Sequence, residues 1–123
     1  MPNPGPVSHL AFARARTGCS AHLGVRLSRL IDPTLKAPGC LHFALQQSMC
    51  DPDLWLVSGL WSSEQAMNAY FSTPELSVFA DVVQELVVSS LDFHTFATVS
   101  AAQANQMHGV DMTTALRSGV QTV

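Results

Sequence analysis

A chain of 123 residues is long enough for one domain with a real core. Hydrophobic residues make up 47% of it and charged residues only 12%, against roughly 25% charged in an average soluble domain, which excludes a disordered or acidic solvating segment. The net charge of −3 is uneven: residues 1–36 hold Arg14, Arg16, Arg26, Arg29 and Lys36 against Asp32 alone, and no cation follows until Arg117, so nucleic acid is excluded as the main partner for want of a basic stripe.

Pro2, Pro4, Gly5 and Pro6 make an irregular arm, after which Val7 to Ala15 reads as a strand with Leu10 and Phe12 on one face and His9, Ala11 and Ala13 on the other. Thr17-Gly18 breaks it. Ser20 is placed to cap a helix whose apolar stripe is Leu23, Leu27, Leu30 and Ile31, which Pro33 kinks or ends. Cys40 to Gln47 alternates, with Leu41, Phe43 and Leu45 opposite Cys40, His42, Ala44 and Gln46. A turn containing Asp51-Pro52 joins it to a third strand, Leu54 to Trp61, in which Trp55, Val57, Gly59 and Trp61 share a face.

Ser62 and Gln65 have capping-box spacing and open a short helix to about Phe71, with Ala66, Met67, Tyr70 and Phe71 on one side. Thr73-Pro74-Glu75 begins another, in which Leu76, Phe79, Val83 and Leu86 recur at helical spacing. Leu91 to Val99 is a fourth strand, setting Asp92, His94 and Phe96 opposite Leu91, Phe93 and Thr95. Residues 1–99 therefore form the domain, and residues 100–123, poor in bulky apolar side chains, a tail or arm. The order β-α-β-β-α-β is the ferredoxin-like α+β plan: a four-stranded antiparallel sheet with helices on one face. Its bare second face carries aromatics, so pairing with a second copy is the expected way to cover it.

The start lacks a basic region followed by a long apolar stretch, and no segment has the length to span a bilayer, so the expected location is the cytoplasm, without membrane contact. Cys19, Cys40 and Cys50 are odd in number and have no CxxC spacing. Reduced, buried thiols are expected in place of disulfides or a zinc cluster.

The stretches KAPGCLHF and LWLVSGLWSSEQAMNAYFSTPEL resemble the antibiotic biosynthesis monooxygenase family of the dimeric α+β barrel superfamily. The likeness runs from about Val7 to Val99. Its markers are Pro38-Gly39-Cys40, Trp61, the helix after it and Ser72-Thr73-Pro74. The resemblance implies a homodimeric barrel with a pocket between sheet and helices in each protomer. It also implies a monooxygenase that needs no cofactor or metal and oxidises a small aromatic phenol or quinol with O₂. The chain departs from the family pattern at Gly59, where an acid is usual, and at Tyr70, where histidine is frequent. The first strand has no asparagine of the kind that haem degraders use, and the arginines of some relatives have no counterpart between Lys36 and Arg117.

Within that reading, Trp61 is a pocket wall with an indole N–H to offer, or else a core aromatic. Tyr70, the only tyrosine, is a hydroxyl that orients substrate, or else a helix residue capping the core. Met67 and Trp55 complete the expected substrate-binding set, although Met67 by itself is best read as core filling. His42 and His94 are the possible general bases, because imidazole titrates near neutrality, although a strand histidine is commonly structural. Two alternatives stay open: a non-catalytic dimer that binds a small ligand, and an isomerase or decarboxylase of the same superfamily.

Overall fold

A computed structural model of the chain describes residues 5–102. Nine extended residues, Val7–Ala15, form β1. There follow α1 (Ser20–Ser28), α2 (Ile31–Leu35), β2 (Cys40–Gln47), β3 (Leu54–Trp61), α3 (Glu64–Phe71), a 3₁₀ turn at Pro74–Leu76, α4 (Ser77–Gln84) and β4 (Val88–Ala97). The sheet order is β2-β3-β1-β4 with every neighbouring pair antiparallel. This is the ferredoxin-like α+β fold expected from the element order.

Side-chain alternation decides the two faces. On β1, Val7, His9, Ala11, Ala13 and Ala15 are buried beneath the helices while Leu10 and Phe12 stay half-exposed on the open face. The alanines present a low surface on which Leu23 and Leu27 of α1 and Phe79 and Val82 of α4 pack as the main core. Burying each such side chain contributes about 1.5–3 kcal/mol.

The first three strands have the bounds that alternation predicts, and β4 starts three residues early. Val88 already pairs with Ala15 across a bulge, and Val87 and Val88 are buried in the core. The predicted helix from Ser20 breaks in two: α1 ends at Ser28, and Pro33 sits inside α2, near enough to its start for the missing N–H to go unneeded. Ser20 does not cap. It is the first residue of α1, and its hydroxyl donates to the Pro52 carbonyl while accepting from Trp55 Nε1.

The cap of α3 is Ser63 in place of Ser62, its Oγ accepting from the Ala66 N–H at 3.1 Å. On α4 the buried residues are Phe79 and Val82, leaving Val83 and Leu86 exposed. A second bulge between Cys40 and His42 leaves Leu41 exposed and puts Cys40 level with Trp61. Of the three free thiols, all expected to be buried, Cys50 is exposed and Cys19 and Cys40 are half-buried.

Of the expected tail at 100–123, residues from 103 onward lie outside the described residues. No helix among the described residues is long and apolar enough to cross a membrane, and no group of three or more His, Cys, Asp or Glu among them could hold a metal ion.

Candidate functional site

The site begins where β1 and β3 pair. His9 lies opposite Gly59, and Val7 opposite Trp61. A β-carbon on residue 59 would fall 2.4 Å from His9 Cε1 and 3.0 Å from Trp61 Nε1. The imidazole therefore occupies the space that a side chain at 59 would need. Trp61 Nε1 donates to His9 Nδ1 at 3.0 Å, which satisfies the buried indole and leaves the His9 proton on Nε2. His9 is 2% exposed, and desolvation lowers its pKa from 6.5 to about 4, so the ring is neutral at neutral pH.

Phe43, Trp61, Tyr70 and Phe71 surround the imidazole, with ring centroids 5.3–6.4 Å away. Tyr70 comes from α3, its ring 4.8 Å from that of Trp61. Its hydroxyl meets Thr34 Oγ1 of α2 at 2.5 Å, and both residues are buried. Burial pushes the phenol above its ordinary pKa, and the hydrogen bond with Thr34 pulls less strongly the other way.

Beside Tyr70 a cleft of about 490 Å³ opens between the α2–β2 connection and α3. Ala37, Pro38 and Gly39 form one wall, and Ala66, Ala69 and Tyr70 the other. Gly39 has φ +83° and would place a β-carbon 2.4 Å from that of Ala66, so only glycine lets the connection lie this close to α3. Its carbonyl accepts from the Ser62 N–H at 2.8 Å and ties the two walls at one end. No charged side chain lines the cleft among the described residues.

Of the residues expected from sequence, Trp61, Met67 and Tyr70 come together with Val7 in one buried cluster. Only Tyr70 reaches the cleft; Trp61 is 0% exposed behind it. Met67 borders a separate hollow of about 190 Å³ with Val7, Glu64 and Phe96. Trp55 lies toward the other end of β3, its ring against Gly24 and its N–H on Ser20 Oγ at 3.0 Å.

His42 is level with Leu60, and His94 with Leu10. Both therefore stand on the open face, across the sheet from Trp61 and Tyr70. His94 Nε2 is 3.0 Å from Asp92 Oδ2.

Two residues of the cluster escaped sequence reasoning. His9 carries a usable signal: it shares a strand face with two alanines and, once β1 and β3 are paired antiparallel, lies across from a glycine. Thr34 carries none, being one threonine in a proline-containing connection.

A family model described as antibiotic biosynthesis monooxygenase matches residues 6–82. No curated protein matches the sequence. Among solved structures, PA3566 from Pseudomonas aeruginosa superposes with a TM-score of 0.70 at 21% identity, over 78% of this chain and 96% of that one. Rv0793 from Mycobacterium tuberculosis gives 0.71 at 21%, over 80% and 99% of the two chains. A candidate antibiotic biosynthesis monooxygenase from Deinococcus radiodurans gives 0.71 at 22%, over 80% and 96%. Likeness at these identities speaks for the fold.

Proposed function

Because the chain belongs to the antibiotic biosynthesis monooxygenase family, we propose that it is a cofactor-independent monooxygenase. It oxidises a small aromatic phenol or quinol with O₂ in the cleft beside Tyr70, as a homodimer paired through the open sheet face. The observation that carries this reading is the cleft itself: about 490 Å³, charge-free and walled by small residues, with one tyrosine on its lining. That suits a planar, mostly apolar ring with one or two oxygens.

The chemistry balances without a redox group on the protein. A phenol with a free ring C–H para to its hydroxyl ionises, and the electron-rich ring passes an electron to O₂. Recombination at the para carbon forms a C–O bond, and the peroxide loses water as the quinone forms. One oxygen atom stays on the ring and the other leaves as water, the substrate supplying all four electrons. The protein contributes a shaped, mostly apolar space and a hydrogen bond to the substrate oxygen.

His9 is not the base, since its Nδ1 lone pair is occupied by Trp61, and His42 and His94 lie across the sheet. The phenolic proton therefore leaves through the open mouth of the cleft to water. The test is O₂ uptake across a panel of 1-naphthols of differing acidity in which the position para to the hydroxyl is free. Turnover is expected to rise with pH along each substrate's own ionisation, with about one O₂ consumed per quinone formed. Absence of uptake across the panel would reject the enzymatic reading.

A second reading, a non-catalytic dimer that holds an apolar ring, is favoured by the burial of Trp61 behind Tyr70. It predicts quenching of tryptophan fluorescence by the same compounds with no O₂ consumed.

A further inference from the structure

The Tyr70–Thr34 pair holds one proton more than it can use. Two hydroxyls bring two protons, and the 2.5 Å contact between them consumes one. Among the described residues neither oxygen has any further hydrogen-bond partner. Whichever hydroxyl accepts must point its own hydrogen elsewhere, and a buried O–H without an acceptor costs about 1–3 kcal/mol. The two positions are not equivalent. Thr34 is 0% exposed and stands away from the cleft, whereas Tyr70 is part of its lining. The lower-energy arrangement has Thr34 donating to the Tyr70 oxygen, with the phenolic hydrogen free to turn toward the cleft.

We propose that Thr34 is a positioning and specificity-determining residue that fixes the Tyr70 hydroxyl as a hydrogen-bond donor to the cleft. The ligand read there is a neutral ring bearing an acceptor oxygen, a ketone- or quinone-type carbonyl. This rests on the cleft being the ligand site, as proposed above. With no cation on the lining, a carboxylate or phosphate would lose its hydration without compensation, while a carbonyl needs only the one donor. The raised phenol pKa agrees with a hydroxyl that remains protonated at neutral pH. A hydrogen bond to such a carbonyl also stabilises the anion of a phenol conjugated with it, so the group that selects the ligand favours its ionisation.

Tyr70 is the only tyrosine in the chain, so the Raman Fermi doublet of tyrosine reports on this hydroxyl alone. In the unliganded full chain it is expected to carry the signature of an oxygen that accepts, unchanged in Thr34→Ser and lost in Thr34→Val. A donor-only signature would show that Tyr70 gives its proton to Thr34 and would overturn the proposal, whatever the protein catalyses.

Binding of 1,4-naphthoquinone is then compared with that of naphthalene by tryptophan quenching. The wild type is expected to prefer the quinone about tenfold. Thr34→Ser is expected to keep that ratio, and Tyr70→Phe and Thr34→Val to bring it near one with naphthalene affinity unchanged. Equal affinities in the wild type would overturn acceptor recognition, and an undiminished ratio in a folded Thr34→Val would overturn the role of Thr34. If neither compound binds while the Raman signature is as expected, the cleft is not the ligand site: the proposed function fails, and the ligand proposal with it.

Discussion

His9 ties the stability of the fold to pH. Its pKa is 6.5 when exposed and about 4 in the folded chain, because burial disfavours the cation. Above pH 6.5 the ring is neutral in both states and its contribution is fully present. As pH falls from 6.5 toward 4 the unfolded chain takes up a proton that the folded chain refuses, and stability declines by about 3 kcal/mol over that window. Urea unfolding at a series of pH values between 7.5 and 4.5 is expected to show this slope. In His9→Gln, whose amide oxygen still accepts from Trp61, the slope is expected to flatten; an unchanged slope would assign it to other groups. Tyr70, Met67 and Trp61 were legible in the sequence because i, i+3 and i+4 spacing and strand alternation are local properties. His9 and Thr34 were not. Each gains its meaning from a partner on another element, Gly59 and Trp61 for the one and Tyr70 for the other, and no local period reports such pairings.

At the level of elements, strands were easier to read than helices. A strand face is either under the helices or open, and β1 and β3 alternate along their whole lengths; in β2 what alternation did not foresee was the bulge after Cys40, which changes the face by one residue. Helix ends depend on single hydrogen bonds, so Ser62 and Ser63 compete for one cap and Ser20 is diverted to Trp55. The end of α4 was read as apolar continuation through Leu86, yet this residue turns the chain at φ +60° and is mostly exposed. The N–H of Val87 reaches the Val82 carbonyl and that of Leu86 the Val83 carbonyl, the Schellman pattern in which the turning residue is usually glycine. A leucine there bears a backbone cost of roughly 1–2 kcal/mol, partly offset by the entropy glycine loses on folding. Leu86→Gly is therefore expected to stabilise the protein by about 0.5–1 kcal/mol, read as a rise in melting temperature; a fall would mean that the exposed leucine makes contacts worth more than the strain.

At the scale of the molecule, the described residues form one sheet covered on one side. Leu10, Phe12, Leu56 and Leu60 share the other face in consecutive register, flanked by Phe96. Phe12, Leu54 and Leu56 border a shallow hollow of about 270 Å³ on it. Pairing through this face is part of the proposed function, and its consequence is measurable. Leu56→Asp puts a charge at the centre of the apolar strip while leaving the helix-side core intact. Sedimentation is expected to give a dimer for the wild type and a folded monomer for the variant, with unfolding of the variant dependent on concentration no longer. A wild-type monomer would remove the dimer from the functional reading. The sequence pointed to this face through its unpaired apolar residues, but the partner that covers one side of a sheet leaves no periodic mark on the chain that it covers.

The imidazole resting over Gly59 also constrains the descent of the protein. Positions 9 and 59 belong to separate strands but share one volume, large enough for a ring or a side chain and too small for both. A lineage that acquires a carboxylate at 59 must give up the bulk at 9 beforehand or in the same step. Trp61 Nε1, 3.0 Å from a β-carbon added at 59, stands within reach of whichever acceptor occupies that shared volume.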